Sequence, residues 1–194
     1  MRRLCVFCGS ARGTRSSYAA VAGDLGAALA RRGIGLVYGG GSIGLMGVVA
    51  DAVLAAGGSA IGVIPRGLHS AEIAHAGLTE LRVVSGMHER KAVMASLADG
   101  FVALPGGLGT FEELLEMLTW LQLGIHRKPV ALLDVDGYWR GLRTLLDDAV
   151  AAGFVDGARA QLLLVETDVE ALLDRLRAWE PPALPRIWLT PAEA

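Results

Sequence analysis

Lysine, cysteine, aromatic side chains and net charge are all scarce in this chain of 194 residues. Its 18 basic and 20 acidic side chains leave a formal net charge of only −2. Basic residues gather only at Met87 to Lys91 and at His126 to Lys128, so no field favours nucleic acid as a partner. The two cysteines, Cys5 and Cys8, spell C-x-x-C. Residues three apart in a strand lie about 10 Å from each other and face opposite sides, so they cannot form a disulfide without rebuilding the strand. There is no second C-x-x-C, and His69, His75, His88 and His126 are dispersed, so no metal site and no metal cofactor are expected. Gly33 to Ala50 carries no charge, but Gly39-Gly40-Gly41-Ser42 would break a spanning helix in its middle, which argues against a membrane segment. The apolar run after Met1-Arg2-Arg3 is too short for a leader and ends in a glycine turn; it reads as a first strand of a cytoplasmic protein.

What the chain does have is apolar residues, 53% of the total with a mean hydropathy of +0.45. That is high for a monomer and suits a homodimer that closes an apolar face. The length fits one domain, residues 1–180, that buries roughly 70% of its unfolded surface, followed by a proline-rich tail over 181–194. Leu4 to Gly9 reads as a strand. A helix follows over Tyr18 to Arg32, with Ser16 or Ser17 as its cap and Gly33 as its stop. Ile34 to Tyr38, a helix to about Ala56 and Ser59 to Ile64 continue the alternation. This is the rhythm of an α/β fold: a three-layer, doubly wound parallel sheet of Rossmann-like type. Further on, Leu81 to Val84, Gly100 to Leu104, Pro129 to Asp134 and Gln161 to Val165 read as strands. Ser85 to Leu97, Tyr138 to Ala152 and Val169 to Trp179 read as helices.

The stretch Leu104 to Glu116, LPGGLGTFEELLE, is where chemistry is expected. A buried strand ends in a turn whose glycines, Gly106, Gly107 and Gly109, let N–H groups converge, and a helix then adds the positive end of its dipole. That is an anion site, made of Gly106, Gly107, Leu108, Gly109, Thr110 and Phe111. Extra carboxylates beside it need a reason. On the helix, Phe111, Leu114, Leu115, Leu118 and Leu121 make one apolar stripe, and Glu112, Glu116 and Thr119 share a polar face. Glu113 points between Met117 and Trp120 and is the carboxylate expected to be shielded from water.

Two other segments point the same way. Arg90 and Lys91 sit near the start of the helix from Ser85, where cations are electrostatically misplaced, so they answer to something anionic nearby. Gly39, Gly41 and Gly44 match G-x-G-x-x-G after a strand. The acidic residue that a dinucleotide site needs is missing, since Ile64, Pro65 and Arg66 stand there. Gly40, Gly41, Ser42 and Met46 are therefore expected to line the nucleotide pocket from a neighbouring strand. Gly67 to Gly77 reads as a rim or a plain crossover.

On these residues the sequence resembles the Lonely Guy (LOG) family of cytokinin-activating phosphoribohydrolases. Pro105 to Glu113 reproduces that family's PGGxGTxxE motif, and Met87-His88-Glu89-Arg90-Lys91 matches its MHxRK signature. The likeness extends through CVFCGS at Cys5, VYGGGSIGLMG at Val37, VIP at Val63 and TWLQLGIHRKPV at Thr119. It implies hydrolysis of the N-ribosidic bond of cytokinin riboside 5′-monophosphates, with AMP as a simpler substrate, and no cofactor. It also implies Glu113 and Arg90 as the catalytic pair, Glu112 on ribose hydroxyls, and Lys91, Glu72 and Thr119 as substrate contacts. Relatives are often labelled lysine decarboxylases, but neither Lys91 nor Lys128 sits in a pyridoxal motif. The alternatives are a nucleotide or molybdenum-cofactor carrier on the same fold, and an NADP oxidoreductase relying on Arg66.

Overall fold

The computed structural model describes residues 1–69 and 74–181. Glu72 and all but the first residue of the proline-rich tail lie outside them. Seven parallel strands form one sheet: β1 (Arg3–Phe7), β2 (Gly35–Tyr38), β3 (Ala60–Pro65), β4 (Glu80–Val84), β5 (Phe101–Ala103), β6 (Val130–Leu133) and β7 (Leu163–Glu166). Their order is β4-β3-β2-β1-β5-β6-β7. β2, β3, β5 and β6 are buried along their whole length, because helices cover both faces, and they accordingly read as unbroken apolar runs. β4 at the edge leaves Glu80, Arg82 and Val83 exposed.

The helices are α1 (Ser16–Arg31), α2 (Gly44–Ala55), α3 (Arg66–His69), α4 (Met87–Leu97), α5 (Leu108–Leu123), α6 (Arg140–Ala151), α7 (Gly157–Ala160) and α8 (Val169–Ala178). On one face of the sheet α1, α2 and α8 bury Leu25, Leu29, Val49, Val53, Leu172 and Leu176 against Leu4, Val6 and Leu36. On the other, α4 and α5 bury Met94, Leu114, Met117 and Leu121 against Cys5, Phe7, Val37 and Phe101. Cys5 and Cys8 are free thiols assigned to opposite core layers, as period-two alternation requires. Gly26 lets α1 touch α2, since a Cβ there would stand 2.6 Å from the Val49 carbonyl oxygen.

Two local expectations are corrected. The N-cap of α1 is Arg15, with no side-chain cap, because the Ser17 hydroxyl donates instead to Asp136 Oδ2 at 2.6 Å. The buried face of α5 is Thr110, Glu113, Leu114, Met117 and Leu121, while Leu115 is exposed; the polar Thr110 and Glu113 sit inside, which an apolar count misplaces.

The chain winds outward from β1 to β4, then returns to start β5 on the other side of β1. The crevice between the carboxyl ends of β1 and β5 is therefore the topological switch point where ligands of such sheets bind. The loops after β1, β2, β3 and β5 all open there.

Candidate active site

β5 delivers Leu104 and Pro105, both buried, to the mouth of this crevice, and α5 starts from it with Gly107 as N-cap and no side-chain cap. Among the described residues, no hydrogen bond to a protein acceptor engages the N–H groups of Gly107, Leu108, Gly109 and Thr110. The first turn of a helix exposes these donors and the positive end of the dipole together. The glycines differ in what they serve. A Cβ at Gly106 would stand 2.1 Å from Thr110 Oγ1 and 2.9 Å from the Gly9 nitrogen, so the fold itself needs glycine there. At Gly107 and Gly109 a Cβ would meet nothing within 4 Å. Tyr138 holds the turn from behind by donating its hydroxyl to the Gly106 carbonyl.

Glu113, one turn inside α5, has a side chain only 10% exposed, and its Oε1 lies 3.5 Å from Arg90 Nη1. Burial pushes its carboxyl up to about 7; Arg90 pulls down, Glu112 pushes up and Lys91 pulls down. Arg90 reaches this position from α4, whose N-cap is Gly86 without a side-chain cap and whose Glu89 ties back to the preceding chain by accepting from the Ser85 N–H at 2.7 Å and from its hydroxyl. The guanidinium is held by Nε donating to the Val63 carbonyl at 3.1 Å, at the end of β3. It also lies against Gly39, at the end of β2: a Cβ there would be 2.0 Å from Arg90 Nη2. The ends of β2, β3 and β5 thus fix one ion pair.

The pair closes a cavity of about 400 Å³, lined also by Cys8, Ser10, Gly41, Met46, Gly107, Leu108, Gly109 and Thr110, with an apolar side formed by Ile43, Met46, Ile64 and Leu68. Cys8, Ser10, Ile43, Ile64 and Leu68 were not expected in the site, and Gly39 was read only as part of a glycine motif. Their signal was position, at the carboxyl ends of β1, β2 and β3 or on the element that follows.

Other expected residues are placed elsewhere. Lys91 is 6% exposed and turned away from the cavity, with Nζ paired to Glu112 Oε1 and 3.0 Å from Glu116 Oε1. Phe111 packs edge-on against Trp139, with ring centroids 5.7 Å apart. Thr119 donates back to the Leu115 carbonyl at 2.7 Å. Gly40, in the left-handed region at φ +76, lies under Ile64 and Leu81 and accepts from the His75 N–H at 2.9 Å. Ser42 and Gly106 also lie outside the lining.

A seven-stranded parallel sheet with an open helix N-terminus, a buried carboxylate and a guanidinium at its switch point defines a Rossmann-like α/β protein with an anion-accepting crevice. A family model described as "Possible lysine decarboxylase" matches residues 46–176. The chain is 51% identical over 180 residues to the cytokinin riboside 5′-monophosphate phosphoribohydrolase LOG of Oryza sativa subsp. japonica, covering 93% of this chain and 74% of that one. It is 50% identical over 180 residues to a protein of the same activity name from Arabidopsis thaliana, covering 93% and 84%. Among solved structures it resembles the molybdenum cofactor carrier protein of Chlamydomonas reinhardtii, with a TM-score of 0.70 and 25% identity over 92% of this chain and 99% of that one. It also shares its fold with the molybdenum cofactor binding protein of Rippkaea orientalis, at a TM-score of 0.69 and 20% identity over 91% and 96%. The chain belongs to the Lonely Guy (LOG) family, and the lysine decarboxylase label is its family model's description.

Proposed function

We propose that this protein is an N-glycosidase that hydrolyses the N-ribosidic bond of adenine-type nucleoside 5′-monophosphates, cytokinin riboside 5′-monophosphates and AMP among them. The products are the free base and ribose 5-phosphate. The observation that carries this reading is the buried Glu113–Arg90 pair one helical turn inside an unengaged helix N-terminus. The 5′-phosphate is held by the N–H groups of Gly107 to Thr110 and the dipole of α5, which places the ribose beside Glu113. As the bond from C1′ to the base breaks, its electron pair leaves with the base and positive charge develops on the ribose ring. The ionised Glu113 opposes that charge and takes a proton from the water that attacks C1′; that proton is then passed on through solvent to the departing base nitrogen, which releases the neutral base and restores the carboxylate, and a preorganised group of this kind is worth on the order of 3–4 kcal/mol. Arg90 holds the carboxylate in place. The apolar side of the cavity, Ile43, Met46, Ile64 and Leu68, suits the flat face of a base and an apolar substituent on it.

A carrier on this fold has no use for a shielded carboxylate whose ionisation costs free energy. The test is base release: purified protein with AMP and with isopentenyladenosine monophosphate, followed by chromatography of the free base. Release by the wild type and its loss in Glu113→Gln with nucleotide binding retained is the expected result. Binding without release in either protein would favour the carrier. The protein is further proposed to act as a homodimer, for which exposed Val83, Met87, Leu108 and Leu115 offer apolar surface; light scattering after size exclusion checks this.

A further inference from the structure

The turn that presents Gly107 to the crevice is held from behind. Tyr138 lines a second cavity of about 270 Å³ on the far side of that turn, and there its hydroxyl donates to the Gly106 carbonyl. The Gly106–Gly107 peptide is trans, like every peptide bond among the described residues, so the Gly106 C=O and the Gly107 N–H point in opposite directions. Drawing the carbonyl back to Tyr138 therefore aims the Gly107 N–H forward, at the active cavity, which Gly107 lines and Gly106 and Tyr138 do not. That N–H has no protein acceptor among the described residues. Donation to the carbonyl also polarises the same peptide unit and makes its N–H a stronger donor.

The corner that carries Tyr138 is built at a conformational cost. Between β6 and α6 the Tyr138 N–H donates to the Val135 carbonyl at 3.1 Å, and both residues in between take positive φ, Asp136 at +54 and Gly137 at +71. Asp136 is the only non-glycine residue in the left-handed region among the described residues. Such backbone strain persists where surrounding contacts over-determine it. Here Ser17 of α1 donates to Asp136 Oδ2 at 2.6 Å, and the buried Asp134 accepts from the Trp139 N–H at 3.0 Å. Tyr18 and Trp139 meet the Tyr138 ring edge-on, with centroids 5.8 and 5.1 Å away, which fixes the hydroxyl under the glycine turn. We propose that Tyr138 is a positioning residue for phosphate binding: through the Gly106 carbonyl it orients the Gly107 N–H toward the 5′-phosphate of the substrate, and it acts on binding rather than on the bond that breaks.

The inference rests on the phosphate placement proposed above, so the experiment pairs base release from AMP with calorimetry of ribose 5-phosphate, a ligand that carries the phosphate and has no base to lose. Tyr138→Phe removes the hydroxyl and keeps the ring against Tyr18 and Trp139. It is expected to weaken ribose 5-phosphate binding and to raise KM for AMP by about 5–30-fold, with kcat within about threefold, the mark of an interaction made equally in the ground and transition states. A corner that only supported the fold would instead disturb Glu113 on α5 and lower kcat. If Tyr138→Phe does not fold, Ser17→Ala decides on the same readouts: it loosens Asp136 from a distance and is expected to weaken ribose 5-phosphate binding by about twofold or more with kcat kept. Unchanged ribose 5-phosphate affinity in the variant that folds, or a loss of about tenfold in kcat with KM unchanged, overturns the proposal, as does a wild type that binds no ribose 5-phosphate. A wild type that binds ribose 5-phosphate and AMP but releases no base refutes the hydrolase reading instead, and the ribose 5-phosphate affinities still decide on Tyr138.

Discussion

Replacing Glu113 by glutamine should make the protein more stable at neutral pH while abolishing the reaction. Its carboxyl titrates at about 7 in the folded protein against an ordinary 4.5, chiefly because burial removes the charged form from water. At 1.36 kcal/mol per pH unit that difference is about 3 kcal/mol. The folded pKa is raised, so the stability associated with the neutral form is fully present below pH 4.5 and is lost as pH rises through 7. Glutamine mimics the neutral acid at every pH and leaves the neighbours of Arg90 in place. The two proteins should therefore unfold alike at pH 4, and the variant should lead by about 3 kcal/mol at pH 8. For a domain of this size that corresponds to roughly 6–12 °C in Tm. Urea or thermal unfolding at pH 4, 6 and 8 measures it. Parallel pH profiles for wild type and variant would refute the reasoning, since they would mean that Glu113 is ionised at no cost and hence not sheltered.

Further outcomes follow from the same geometry. If ionised Glu113 is the working form, log kcat/KM for base release should rise with unit slope below pH 7 and level off above it, and a flat profile from pH 5.5 to 8 would count against that role. Gly107→Ala and Gly109→Ala meet no protein atom within 4 Å and should fold normally while losing tenfold or more in AMP affinity by calorimetry. Gly106→Ala drives a Cβ to 2.1 Å from Thr110 Oγ1 and should lower Tm instead. Gly39→Ala displaces the tip of Arg90, the flexible partner in a 2.0 Å clash, and should cut kcat by about 10–100-fold with little change in Tm.

Much of this molecule is legible in one dimension because its main devices are local. Glycines mark the ends of α1, α2 and α5, unbroken apolar runs mark strands covered on both faces, and a strand, glycine turn and helix in succession mark an anion site before any contact is known. Opposite placement of Cys5 and Cys8 follows from strand alternation alone. The reading fails where a side chain takes a distant partner. Ser17 gives up its capping role for Asp136, and the inner face of α5 carries Thr110 and Glu113 because the site, not the core, claims them.

Periodicity, turn chemistry and spacing thus settle the strand and helix order, the parallel sheet and the sheltering of Glu113, since each depends on neighbours within a few residues. Which side chains meet across the crevice is settled only by folding. Arg90 finds its place through the Val63 carbonyl and the bare backbone of Gly39, on two other strands, and Lys91, adjacent in sequence, is carried by the helix turn into a different environment. Contacts between residues 23 to 51 positions apart obey the winding of the sheet, which no local pattern encodes.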